Sequence, residues 1–262
     1  MQIGCCVPMD QYEAAVRAGY AYVEFPAWEV EALPPEALAA AAETLRRLGV
    51  PCLRLNAYCR GVPAIVGEGA DAGQAASYAQ RLMEKAAVLG AACVGVGAPP
   101  ARRLPEGYDR DLADRQCEAF LRITAQAAAP YGIQVLVEAI QQGMCSYMNR
   151  TEEALDMVRR VDLENVGLVV DLYHMETQGE NWSALGRYLP WTRHLHVSTV
   201  GEGLRRGLYG PGDEALCART FRAILDSGYD GTVSLEPDAA ELTPAALETA
   251  LRIMRRSCGA GN

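Results

Sequence analysis

Apolar residues along this chain change their period in a regular way. Stretches with apolar positions three and four apart, the spacing of one helix face, end at a glycine and give way to short unbroken apolar runs of strand length. The change recurs in AVRAGYAYVEF, LRRLGVPCLRL, KAAVLGAACVGVG, APYGIQVLVE and DSGYDGTVSLE. Gly19, Gly49, Gly90, Gly132 and Gly228 stand where a helix terminates in the left-handed conformation, which costs least without a Cβ. A run that is apolar at every position suits a strand covered on both faces. Helix followed by buried strand, repeated, implies parallel strands joined by right-handed crossovers.

Extending this unit along the chain gives eight expected strands, near residues 3–7, 22–25, 52–56, 93–97, 134–138, 167–171, 194–198 and 232–236. The last helix is the best marked: Thr243 is placed to cap it, Pro244 suits its first turn, and Leu247, Ala250, Leu251 and Met254 share one face. No Ser/Pro/Gly-rich linker or charge run divides the units, so residues 1–262 read as a single closed (β/α)8 TIM barrel. Three irregular stretches, CRGVPAIVGEGADAG, GAPPARRLPEGYD and STVGEGLRRGLYGPGDE, each follow an expected strand. All three then lie at the end of the barrel where such folds carry their working face.

Composition narrows the partners. Half the residues are hydrophobic, enough for a full core, and the formal net charge of -9 with a pI near 5.0 disfavours nucleic acid or an anionic membrane as partner. A small neutral or polar molecule fits better. The nine cysteines are scattered, odd in number and without a Cys-x-x-Cys pair, so they read as reduced, buried small hydrophobes of a cytoplasmic protein. The opening MQIGCCVPMD lacks a basic stretch followed by a long apolar run, and no segment has the length of a membrane span.

Candidate chemistry sits at the strand ends. The fifth expected strand closes in Glu138, the sixth in Asp171, the seventh contains His196 and the eighth closes in Glu236. Singly, each is ordinary: an acid there is often a helix cap or a solvated charge, and a lone histidine is often a hydrogen-bonded core residue. Together they bring three carboxylates to one rim, where they repel one another unless a cation holds them. Such an oxygen-rich set suits Mn2+ best, with Mg2+ or Co2+ as alternatives, over a thiolate-loving metal. His194, two residues before His196, is expected one layer below the metal.

The stretches VLVEAI, NVGLVVDLYHMETQGEN, HLHVST, PGDE and GYDGTVSLEP, in this order and spacing, resemble the xylose isomerase-like sugar-phosphate isomerase/epimerase superfamily. The resemblance covers most of the chain and is nearest to ketose 3-epimerases and hydroxypyruvate isomerases. It implies Glu138, Asp171, His196 and Glu236 as metal ligands and His174 as a substrate contact. Arg206 or Arg205, in the loop after the metal histidine, is implied as another. It also implies assembly as a homodimer or homotetramer. One departure stands out: where ketose epimerases carry an acid that buttresses the substrate histidine, this chain has Met144. Trp28 is a candidate wall of the sugar pocket, or else barrel-mouth packing or a subunit contact, and Glu24 a candidate partner of a substrate hydroxyl or, equally, a support behind the ligands. Asn149 and Thr151 resemble the family's lead into a helix, with Thr151 as its cap.

The chemistry implied is isomerisation or epimerisation of a ketose, with Glu138 and Glu236 removing and returning a proton through an enediolate. One alternative is a lyase on the same scaffold, expelling a hydroxyl or a C-linked aglycone. Others are a non-catalytic sugar-binding barrel and an abasic-site endonuclease, the last disfavoured by only three histidines and the negative charge.

Overall fold

The computed structural model describes residues 1–238 and 242–259. Eight parallel strands close into a barrel: Gln2–Cys6, Val23–Pro26, Cys52–Asn56, Cys93–Val96, Gln134–Glu138, Val166–Asp171, Thr192–Val197 and Thr232–Leu235. The eighth returns to the first in a register that sets Gln2 opposite Thr232. All five glycines at the helix-to-strand junctions take positive φ, between 68° and 89°.

Strand limits differ from expectation by a few residues. The seventh strand begins at Thr192, earlier than expected, because it pairs with Leu168 there. The eighth ends at Leu235, although the Glu236 N–H still donates to the Val197 carbonyl at 2.9 Å. The closing helix is Pro244–Ser257, with Thr243 Oγ1 accepting from the Ala246 N–H. Burial of Leu247, Leu251 and Met254 fixes it to the barrel, each contributing roughly 1.5–3 kcal/mol. Thr151 is not a cap. It is the first helical residue of Thr151–Val161, and Glu153 caps that end by accepting from the N–H groups of Asn149 and Arg150.

The barrel interior has two chemically distinct halves. Cys93, Leu136 and Val169, from the fourth to sixth strands, form a small apolar cluster. Facing them, Arg54, Thr232, His194, Glu24 and Ser234 form a buried polar column. Tyr22 shares this space, its hydroxyl 3.1 Å from Ser234 Oγ. A Cβ at Gly4 would overlap the Tyr22 ring, so glycine there makes the arrangement possible.

At the rim, Thr199–Val200 and Arg206–Gly207 pair as a small antiparallel ribbon after the seventh strand. In the loop after the fourth strand, Arg102 is buried and donates to the carbonyls of Glu138 and Val96. No helix among the described residues is long and apolar enough to cross a membrane. Eight of the nine cysteines are buried.

Candidate metal centre

Strand geometry brings the four rim residues together. Glu138 and Asp171 end their strands, His196 is the penultimate residue of the seventh and Glu236 follows the eighth. One ligand atom from each lies within 4.8 Å of the others. His196 Nδ1 is 3.1 Å from Glu236 Oε2 and 3.5 Å from Glu138 Oε1. These three atoms are buried, yet none has a hydrogen-bond partner among the described residues. Proximity without hydrogen-bond geometry, in atoms costly to leave unpaired, is what a shared cation relieves. The donor set therefore fits a hard divalent ion.

Glu24 sets the polarity of this cage. Its Oε1 lies 3.0 Å from His196 Nε2, while Oε2 lies 3.0 Å from His194 Nε2 and accepts from Ser234 Oγ at 2.7 Å. An ionised carboxylate only accepts, so both rings place an N–H on Nε2. Burial works against the Glu24 charge, but His196 and His194 outweigh it and hold the carboxyl well below its usual range. His196 then turns Nδ1 toward Glu138 and Glu236. Burial opposes its protonation, yet the charges of Glu24 and Glu236 raise its pKa well above the ordinary imidazole value. Nδ1 thus carries either a proton or a metal.

His194 lies beneath, lowered to about 4 by burial against the pull of Glu24, and so neutral. Its Nδ1 accepts from Thr232 Oγ1 at 2.9 Å. The expectation that Glu24 meets a substrate hydroxyl is corrected here. It is 1% exposed and both its oxygens are engaged by histidines and Ser234.

Of the two loop arginines, the structure brings only Arg206 to the site. Arg206 Nη2 donates to Asp171 Oδ2 at 2.5 Å, and Nη1 is 2.9 Å from Glu236 Oε2. The guanidinium stacks on the Tyr173 ring at 4.2 Å, and the Tyr173 hydroxyl donates to the Leu204 carbonyl, tying down the ribbon. Arg205 points outward to Asp238, so its candidacy as a substrate contact is corrected. Burial would raise Asp171, but Arg206 and the neighbouring histidines bring it to about 2. Glu138 is raised by burial and by the charges of Glu236 and Asp171. Glu236 is lowered, Arg206 and His196 outweighing its burial.

His174 is also at the site, its Nε2 3.6 Å from Asp171 Oδ2. Burial lowers its pKa to about 4. Trp28 is half-buried, with the Arg60 guanidinium 3.6 Å above its ring.

Two contributors escaped the sequence reading. Asn56 Nδ2 donates to Glu236 Oε1 at 3.0 Å. It ends the third strand as Glu138 and Asp171 end theirs, and that position was its signal. Gly97 has no such signal: a Cβ there would overlap Glu138 Oε2, so the missing side chain makes room for the Glu138 carboxylate.

Comparison with known proteins agrees with this fold. An inosose isomerase of Halalkalibacterium halodurans is 30% identical over 145 residues, 53% of this chain and 51% of that protein, so the chain spans about half the length of that relative. A 2-oxo-tetronate isomerase of Haemophilus influenzae is 28% identical over 238 residues, covering 87% of this chain and 86% of its own. Among solved structures, a D-psicose 3-epimerase crystallised in the presence of D-fructose superposes with TM-score 0.80 at 17% identity, over 99% of this chain and 100% of that one. The IolI protein with a bound zinc atom superposes with TM-score 0.75 at 20% identity, over 99% of each chain. At these identities the structures speak for the fold alone. The family model described as xylose isomerase-like TIM barrel matches residues 12–257, and this chain belongs to that family.

Proposed function

We propose that this protein is a divalent-metal-dependent isomerase or epimerase of a keto sugar, working by proton transfer beside the carbonyl. The observation that carries the reading is the convergence at the barrel mouth of three buried atoms without hydrogen bonds, Glu138 Oε1, His196 Nδ1 and Glu236 Oε2, of which only the last has an ion-pair cation, Arg206, beside it among the described residues. The names of the relatives, an inosose isomerase, a 2-oxo-tetronate isomerase and a D-psicose 3-epimerase, support it. Glu138, Asp171, His196 and Glu236 would hold the ion, and their hardness favours Mn2+, with Mg2+ or Co2+ next. Once bound, it supplies Lewis-acid polarisation of a carbonyl and a template for neighbouring oxygens.

The chain's own residues do the proton work. Glu138 and Glu236 start from unequal proton affinities, the first raised and the second lowered. The ionised Glu236 takes the proton from the carbon beside the carbonyl, and Glu138 returns one to the resulting enediolate. Return to the same carbon from the other face is epimerisation; return to the neighbouring carbon is isomerisation. Arg206 and His174 donate to the oxygen on which charge develops. The second reading is a lyase, favoured by Met144 standing half-exposed where an acid would buttress His174.

The test is turnover of a keto-sugar panel in deuterium oxide by chelator-treated protein, before and after each metal is restored. We expect no activity without metal, recovery with Mn2+ and deuterium beside the carbonyl in a product of otherwise unchanged mass. Full turnover without metal refutes the proposal, and loss of water or an aglycone selects the lyase.

A further inference from the structure

We infer that the rim ribbon is a cationic strap: it seats Arg206 on the carboxylates of the metal cage, Tyr173 latches it there, and the latch weakens the hold on metal. The inference rests on the isomerase reading for the purpose of the strap and adds a control over metal loading. The cage has few free oxygens. Asp171 Oδ1 accepts from the Tyr173 N–H at 2.8 Å, and Glu236 Oε1 accepts from Asn56 Nδ2 at 3.0 Å. The oxygens left are Asp171 Oδ2 and Glu236 Oε2, and Arg206 lies 2.5 Å from the first and 2.9 Å from the second. Glu236 Oε2 is also the atom beside His196 Nδ1. A divalent ion bound by these residues therefore competes for their oxygens with a guanidinium that stays charged at any working pH. The two cations also repel, in a buried place where salt and water screen little.

The ribbon cannot hold this position by itself. Thr199–Val200 and Arg206–Gly207 supply two residues each, and an isolated pair of strands is marginal even when longer. The turn between them is unfavourable as well. Leu204 has φ 60°, in the left-handed region that disfavours a residue with a Cβ, and its side chain is exposed, so packing does not hold it there.

Tyr173 offsets both weaknesses. Its hydroxyl donates to the Leu204 carbonyl, and its ring lies 4.2 Å from the Arg206 guanidinium. Tyr173 is itself fixed, being buried and tied by its N–H to Asp171. One side chain thus holds both the strained turn and the charge that the turn delivers. Tyr173 is a positioning residue, because its side chain acts on the cage through Arg206. A latched strap places Arg206 for turnover and weakens metal binding; a released strap does the reverse.

The experiment loosens the strap from two sides. Tyr173→Phe removes the hydroxyl and keeps the ring, while Leu204→Val, at an exposed position, makes the left-handed turn harder to hold. The Gly201 and Asp238 amides donate to the Arg205 and Arg206 carbonyls, and their hydrogen exchange should quicken on the order of tenfold in both variants. Mn2+ affinity by calorimetry should rise severalfold in both, the opposite of what general damage to the site would do. Adding Leu204→Gly to Tyr173→Phe relieves the turn and should return exchange and affinity toward wild type. Wild-type exchange rates, Mn2+ affinity that is unchanged or lower, or failure of this rescue overturns the inference. None of these measurements needs a substrate, so a wild-type protein that turns over no keto sugar sinks the isomerase reading alone, and the two failures are distinguishable.

Discussion

Replacing Glu24 by Gln keeps the shape of the side chain and removes its charge, which isolates what the carboxylate does for the metal centre. In the native site Glu24 accepts from both His196 and His194. A glutamine can turn its oxygen to His196 and its amide to His194. The second ring can adapt, since the Thr232 carbonyl lies 3.0 Å from His194 Nδ1 and can take its proton. The fold should survive, with His196 still presenting Nδ1. What is lost is the difference between a charge-assisted and a neutral hydrogen bond to the ligand histidine, roughly 1–1.5 kcal/mol. That corresponds to about tenfold in affinity, the lower edge of the 10–100-fold range for groups behind metal histidines. Glu24→Ala is harsher: two imidazole N–H groups and the Ser234 hydroxyl lose their acceptor, at about 1–3 kcal/mol each. Calorimetric Mn2+ titration of wild type and Glu24→Gln, with melting curves for all three proteins, gives both quantities. Wild-type metal affinity in Glu24→Gln would refute the reasoning.

Four further outcomes are expected. Gly97→Ala forces Glu138 aside at an overpacking cost of about 1–3 kcal/mol; metal affinity should fall at least about tenfold, and unchanged affinity in a titration would mean that Glu138 is not a ligand. Arg206→Gln should lower turnover by about 100-fold or more without weakening metal binding, because the guanidinium competes for Asp171 and Glu236. Arg205→Ala, losing only an exposed pair with Asp238, should change stability by less than about 0.5 kcal/mol and leave turnover alone. Finally, the raised His196 pKa puts a proton on Nδ1 in the metal-free protein at neutral pH, and the metal must displace it. Affinity should therefore fall as pH falls, and calorimetry in buffers of different ionisation enthalpy should detect proton release; none at pH 7 would contradict the assignment.

The barrel was legible because unbroken apolar runs have few other homes, and the four rim residues because each stands at or beside the end of such a run. Glu24 left two readings open because it too lies near a strand end. Its strand pairs Glu24 with Cys6 on one side and Arg54 on the other, across a register shift, and this stagger sets it a layer below Glu138. Stagger is a property of the closed sheet and leaves no local mark in sequence. Arg205 and Arg206 illustrate another limit. Adjacent residues of a ribbon face opposite ways, and the pairing of Val200 with Arg206, together with the Tyr173 anchor, decides which turns inward. The burial of Arg102 has no mark in the sequence either, because the carbonyls it serves, of Val96 and Glu138, are brought to it only by folding.

The polar half of the barrel poses an energetic question that its function answers. Burying Arg54 and Glu24 is expensive, and apolar residues of similar volume often stabilise as well or better. The bonds between them, however, leave little choice of polarity. Arg54 can only donate, so Nε supplies Thr232 Oγ1 at 3.0 Å and leaves the threonine proton for His194 Nδ1. His194 then has its proton on Nε2 and gives it to Glu24, which is held from one side and accepts from His196 on the other. Each link removes an alternative tautomer or rotamer from the next. The final consequence is a His196 Nδ1 aimed at Glu138 and Glu236, where a metal can take the place of its proton. An arginine at the barrel floor thereby helps to orient the rim histidine proposed to hold the metal, a role that an apolar substitute, however well packed, would not fill.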